Sequence, residues 1–231
     1  MLLKKVNTIF RKKINNFKKE VFLKSDKSSA KDIFDQWALD HHAEGMEKGH
    51  WQRVKQAFEL ISPSQGNYLE IGIGNGYGIH YMALNQYKNG CCYGLDISPN
   101  MVEQAKQRTK DLDNVILQAD DFLTWKPPRN TTFSAIFSME TFYYFSDIKE
   151  GIEKAASLLE PKGMLMILVD FYYENKETHS WPQDMDVPMT LWSAADYKEA
   201  FQDVPLKNVQ QKELRDDAHT IRTLCTWGYK G

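Results

Sequence analysis

From residue 67 onward the chain alternates short apolar runs with stretches in which apolar residues return every three or four positions. Such alternation predicts βα units and a mostly parallel sheet, since strands covered on both faces read as continuous apolar runs while helices bury one stripe. NYLEIGI (67–73) predicts the first strand and NGYGIHYMALNQY (75–87) the helix behind it. CCYGLDI (91–97) predicts the second strand. SPNMVEQAKQRTKDL (98–112) then opens a helix, with Ser98 at its N-cap and Pro99 in its first turn. Further strands are expected in NVILQAD (114–120), FSAIFSM (133–139) and MLMILVD (164–170), with a helix in IKEGIEKAASLL (148–159) stopped by EPKG.

The carboxyl-terminal stretch changes character. NVQQKELRDD (208–217) and TIRTLCTWGYK (220–230) read as two strands joined at Ala218 and His219, with Ile221, Thr223, Cys225, Trp227 and Tyr229 on one face. A closing antiparallel hairpin on an otherwise parallel sheet is the expectation. No repeat or low-complexity linker interrupts residues 28–231, which are expected to form a single domain.

Residues 1–27 stand apart. They hold nine Lys/Arg against Glu20 and Asp26, a net +7, and so leave −9 on the remainder of a chain whose total is −2. Leu3, Val6, Phe10, Ile14, Phe17 and Val21 recur at helical spacing, which predicts a basic amphipathic helix. Such a helix can lie on an anionic membrane surface, track RNA, or act as a lid packed on the domain. The −9 body argues against a broad nucleic-acid groove.

Hydrophobic residues at 42% and charged ones at 26% are ordinary for a soluble globular protein, and the longest apolar run, 164–169, is far short of a membrane span. Three cysteines, two of them adjacent, give neither a disulfide framework nor metal spacing, which fits a cytoplasmic location. With no H-E-x-x-H or iron–sulfur cysteine cluster, no metal is expected. Nothing in the sequence separates monomer from homodimer.

Candidate chemistry concentrates in YLEIGIGNGYG (68–78). A dinucleotide loop, G-x-G-x-x-G, fails in every frame, because the third position falls on Tyr77, Ile79 or Tyr81. That argues against an NAD oxidoreductase. What stands there is E-x-G-x-G-x-G, with Glu70 ahead of Gly72, Gly74 and Gly76. Asp96 follows Gly72 by 24 positions, at the end of the second strand, where a carboxylate can accept from two ribose hydroxyls.

In these motifs the chain resembles the class I S-adenosylmethionine-dependent methyltransferases. The resemblance implies a Rossmann-like fold, in which a seven-stranded, mostly parallel sheet with helices on both faces ends in the antiparallel hairpin and carries a helical amino-terminal cap. It implies S-adenosylmethionine (SAM) as cofactor and S-adenosylhomocysteine as product. Glu70 would meet the methionyl ammonium, and Asp96 the ribose. Ile97 and Met101 would pack on the adenine, and Asp120 in LQADDFLTW would meet its amino group, with Asp121 and Phe122 beside it. Asp120 and Asp121 could also simply start a helix, where the dipole favours their charge. FSAIFSMETFYYFSD and LLEPKGML resemble the branch of ubiquinone/menaquinone-biosynthesis methyltransferases, which places Ser138 near the cofactor and implies a small-molecule acceptor.

No [ND]-P-P-[YFW] follows the fourth strand and no cysteine follows a proline, so DNA is not expected as a substrate. An RNA or protein acceptor, guided by the basic helix, stays open, as does a non-catalytic SAM sensor. Many relatives have histidines where this chain has Tyr143 and Tyr144. The general-base candidates are therefore His50, His179 and Tyr143, while an amine or carbanion-like acceptor could react without a strong base. DFYYENKETHSWPQDMDVPMTLW (170–192) leaves the carboxyl end of the sheet, where ligands bind in such folds. Tyr172, Tyr173, Glu174 and Trp181 there, with Tyr144, are substrate-pocket candidates. In FDQWALDHHAEGMEKGHW (34–51), which resembles the cap of this branch, Trp37 and Met46 are further candidates, and His41 and His42 are expected to be solvated or cap-forming.

Overall fold

The computed structural model describes residues 29–40, 42–217 and 222–231. The expected basic helix at 1–27, His41, the side chain of His42, the hairpin turn at Ala218 and His219, and Ile221 lie outside the described residues.

One seven-stranded sheet, ordered β3-β2-β1-β4-β5-β7-β6, runs through the molecule. Strands β1 (Tyr68–Ile71), β2 (Cys92–Asp96), β3 (Val115–Ala119), β4 (Phe133–Met139) and β5 (Leu159–Val169) pair in parallel. β6 (Leu206–Arg215) and β7 (Arg222–Lys230) form the antiparallel hairpin, and β7 inserts next to β5.

Alternation along each central strand builds two core layers. Leu69, Ile136 and Leu165 face one layer with Ile152 and Phe201, and Tyr68, Phe137 and Met166 face the other with Val54, Ile79 and Met82. The first layer is covered by helices α5 (Ile148–Leu158) and α6 (Ala194–Asp203), the second by α2 (His42–Phe58) and α3 (Tyr77–Asn85). Burying each such side chain contributes roughly 1.5–3 kcal/mol. α4 (Pro99–Thr109) begins as its sequence predicts, with the Ser98 hydroxyl accepting from the Met101 N–H and Pro99 in the first turn.

Two elements depart from expectation. β5 starts at Leu159, which already pairs with Phe133; the register then jumps to Ala135↔Met164, so EPKG loops out within the strand with Lys162 at φ 67°. Leu158 accordingly ends α5. β7 is buried on both faces, with Cys225 and Trp227 in one core layer and Leu224 in the other, because it lies between β5 and β6 and is not the outer strand.

Helix α1 (Ala30–Leu39) opens with a Ser29/Asp32 capping box and crosses the amino end of α4. Its Asp35 carboxylate accepts hydrogen bonds from the Ser98 hydroxyl and the Asn100 N–H, and its Ala38 carbonyl accepts from Gln104. With α2 it roofs the carboxyl ends of the strands. Among the described residues no helix is long and apolar enough to cross a membrane.

Candidate active site

The roof and the strand ends enclose a cleft of about 1380 Å³. Its first half rests on the turn between β1 and α3. Gly72 and Ile73 N–H groups both donate to the Leu95 carbonyl, so the chain folds back over β2 at once. Gly76 caps α3 at φ 79°, and a Cβ there would stand 2.7 Å from that of Ala105. Gly74, at φ 52°, faces open space, and its N–H donates to Asp96 Oδ2 at 2.8 Å. The sequence-based reading gave Gly78 no role; a Cβ there would collide with the Glu70 carboxylate.

Asp96 therefore ties the loop to α4, its Oδ1 accepting from the Ser98 N–H at 2.9 Å. Burial pushes its carboxyl up to about 6, against the lowering effect of those two hydrogen bonds. Glu70 is 4% exposed and accepts from the Tyr68 hydroxyl at 2.9 Å. Burial holds it at about 8, so it is short of positive charge. At the end of β3 the two acids separate in role. Asp121 caps a turn through the Leu123 N–H, while Asp120 accepts from the Asp121 N–H and Gln118 and stands at the cleft wall. Ile97 is 40% exposed, whereas Met101 lies fully buried under Phe34, Trp37 and Met46 of the roof. Glu47 of α2 latches that roof to the loop through Arg108, at 2.6 Å, and Asn75, at 3.1 Å.

The second half lies where β4, β5 and β7 end. Glu140 follows β4 at φ 56°, a left-handed conformation that costs a non-glycine residue about 1–3 kcal/mol and persists where surroundings impose it. Its carboxylate accepts from the Asp170 N–H and, at 2.9 Å, from the Tyr143 hydroxyl. The Asp170 carboxylate accepts from the Thr223 hydroxyl and forms a buried ion pair with Arg53 of α2 at 2.9 Å. Burial and the Asp170 charge lift Glu140 well above the usual carboxylate range. Burial also lifts Asp170, with Arg53 and Thr223 working against it. Aromatic rings wall this half. Tyr144 meets Phe34 edge-on at 5.3 Å and Tyr143 at 4.5 Å, and Phe171 stacks on Trp181.

Of the residues singled out by sequence, Glu70, Gly72, Gly74, Asp96, Ile97, Met101, Asp120, Asp121 and Phe122 come together on the first half. Trp37, Met46, His50, Tyr143, Tyr144 and Trp181 line the same cleft. Six others do not line it. Ser138 is fully buried and donates to the Ile71 carbonyl, tying β4 to β1 rather than touching a ligand. Gly76 serves the approach of α3 to α4. Tyr172 is buried in the core with its hydroxyl on Glu213. Tyr173 is 60% exposed, and His179 bonds its carbonyl at the surface. Glu174, too, is occupied elsewhere, accepting from the Ala194 N–H.

The candidate bases also need correction. Burial, then the Arg53 charge, lowers His50 to about 3, so it stays neutral and is a weak base near neutrality. Tyr143 is a donor held protonated, its phenol pushed well above its ordinary value by burial and by Glu140. Sequence reasoning missed Arg53, Glu140, Asp170 and Asp35. Glu140 was visible inside SMETFYY; the others carry no local signal.

A sequence profile described as a methyltransferase domain matches residues 39–211. The chain belongs to that methyltransferase family. It is 28% identical, over 63% of its length, to phosphoethanolamine N-methyltransferase of Plasmodium falciparum, and 25% identical, over 67%, to malonyl-[acyl-carrier protein] O-methyltransferase 2 of Ilyobacter polytropus. It spans 56% and 61% of the lengths of those relatives. A methyltransferase solved in complex with the Trm112 methyltransferase activator of Haloferax volcanii is 30% identical with a TM-score of 0.78, covering 85% of this chain and 96% of that one.

The cofactor of this methyltransferase is S-adenosylmethionine. The first half of the cleft fits it: a buried carboxylate short of positive charge at Glu70, open space over Gly74, and Asp96 at the cleft wall with each oxygen holding one backbone N–H. When bound, the cofactor supplies an electrophilic methyl group on a sulfonium.

Proposed function

We propose that this methyltransferase moves a methyl group from SAM to a small-molecule acceptor and releases S-adenosylhomocysteine. One observation carries the reading: the cofactor half of the cleft opens directly into a second half walled by Tyr143, Tyr144 and Trp181 under the α1–α2 roof, a space suited to a small molecule. In that reading Glu70 meets the methionyl ammonium, Asp96 the ribose hydroxyls and Asp120 the adenine edge, with Ile97 and Met101 on its faces. The residues of the second half orient the acceptor, and alignment of this kind is worth up to roughly 7–11 kcal/mol. A cytoplasmic location is part of the proposal, supported by the free cysteines.

Transfer of label from methyl-tritiated SAM into fractionated cell extract tests it. Label is expected in the small-molecule fraction. Label confined to RNA or protein would replace the acceptor class, and SAM binding with no transfer to any fraction would leave a sensor. Asp96→Ala is expected to weaken SAM binding at least tenfold, about 1.4 kcal/mol; unchanged affinity would sink the ribose assignment.

A second reading, a protein partner, is favoured by the outer edge of β3, which pairs with no further strand among the described residues. Its residues Val115–Ala119 carry no charge and Ile116 is 47% exposed, whereas the opposite edge, β6, bears Lys207 and Lys212. Uncharged edges invite strand addition, and lysines discourage it. The similar chain solved with Trm112 supports this reading. Ile116→Lys should abolish co-purification of such a partner while leaving SAM affinity unchanged.

A further inference from the structure

We propose that the acceptor is an amine and that Glu140 accepts its proton, an inference that rests on the methyltransferase reading above. The groups around Glu140 leave it that task. From β5, Asp170 is already engaged by Arg53 of α2 and by Thr223 of β7, a local charge balance that needs no ligand. From α2, His50 is neutral. The phenols of Tyr143 and Tyr144, from the turn after β4, and of Tyr197, from α6, are all held protonated by burial. Burial and the Asp170 charge lift the Glu140 carboxyl above its usual range, which raises its affinity for a proton, and unlike Asp170 it forms no ion pair with Arg53. Its backbone conformation and two hydrogen bonds, from Asp170 N–H and Tyr143 O–H, fix the carboxylate at the wall of the cleft.

The chemistry follows from that placement. Amines enter near neutral pH as ammonium ions and have no lone pair to donate. R–NH₃⁺ gives one proton to Glu140–COO⁻, leaving R–NH₂ and a neutral carboxylic acid, the form that a dry site favours. The nitrogen lone pair then forms the N–C bond as the S–C bond breaks, giving R–NH₂⁺–CH₃ and a neutral thioether. An alcohol is far too weak an acid for a carboxylate to deprotonate. Before transfer, the ammonium would sit among the rings of Tyr144, Phe34 and Trp181, whose faces attract cations.

His50, Glu140 and Asp170 also offer ligand atoms that all lie within 4.8 Å of one another. A divalent ion is disfavoured there because the Arg53 guanidinium already lies 2.9 Å from Asp170.

The test uses the full chain, methyl-tritiated SAM and the small-molecule fraction of a cell extract. Labelled product should be non-volatile after base treatment, be retained on a cation exchanger in acid, and form equally well after chelation with EDTA. Glu140→Gln should bind SAM with unchanged affinity, which shows that it is folded, yet transfer methyl about 10²–10⁴-fold more slowly at pH 7. The deficit should shrink as pH rises towards 9.5, where the free amine needs no base; Glu140→Asp should recover part of the rate. Label in a base-labile or uncharged product, an EDTA-sensitive reaction, or a Glu140→Gln deficit that is independent of pH each overturns the proposal while leaving methyl transfer intact. Absence of transfer to any fraction overturns both.

Discussion

The two halves of the cleft are held together in opposite ways. On the cofactor side the main chain contributes most: Gly74 and Ser98 N–H groups grip Asp96, and the loop from Gly72 to Gly78 lies within one βα unit. On the acceptor side, side chains from four elements neutralise one another. Arg53 and Asp170 are 117 residues apart, Thr223 and Asp170 are 53 apart, and Glu140 and Asp170 are 30 apart. A backbone cradle tolerates change in its neighbours as long as its turn survives. A buried charge network fails when one member leaves, because a lone buried charge costs several kcal/mol.

The largest effect should therefore come from the acceptor side. Arg53→Ala strands Asp170 and is expected to cost about 3–5 kcal/mol in urea unfolding. A loss below about 1 kcal/mol would mean that the network carries little energy.

On the cofactor side, Gly76→Ala meets Ala105 and a left-handed backbone together, so a loss of about 1–3 kcal/mol is expected from the same unfolding measurement.

The pH dependence of SAM binding separates the halves further. Free Glu70 and Asp96 are lifted to about 8 and about 6 by burial, whereas the bound state needs both as carboxylates. Affinity should thus fall as pH drops below about 8, and more steeply once it passes about 6. Calorimetry in buffers of different ionisation enthalpy should record proton release at pH 7, and Glu70→Gln should remove it. If wild-type protein releases no proton, Glu70 does not meet the ammonium.

The smallest change concerns the roof. Burial works against Asp35, but hydrogen bonds from Lys31, Ser98 and the Asn100 N–H outweigh it and hold its carboxyl below the usual value. A depressed carboxylate contributes stability above its unfolded pKa and loses it as pH falls through the folded one. Hydrogen-exchange protection of α1, corrected for the intrinsic exchange rate at each pH, should fall modestly in acid, and Asp35→Asn should show the lower protection already at pH 7.

Much of this was readable in advance where one element spoke for itself. β4 matches its predicted bounds, Ser98 caps α4, and E-x-G-x-G-x-G with Asp96 comes to one wall of the cleft, because turn geometry and capping depend on neighbouring residues. The errors fall on residues whose direction depends on the whole sheet. Ser138 points to Ile71 because β4 lies beside β1; Tyr172 turns into the core, and Tyr173 with His179 turns outward. Gly78 lacked a reason until Glu70 was seen against it.

By itself the sequence determined the alternation of strands and helices, the antiparallel close and the glycine turn at the cleft, all of which follow from periodicity and local backbone chemistry. Tertiary structure alone decided which acid keeps a proton. Glu140, Asp170, His50 and Arg53 have ordinary side chains, and their charge states are set by the water that folding removes and by partners that only packing brings within hydrogen-bond reach.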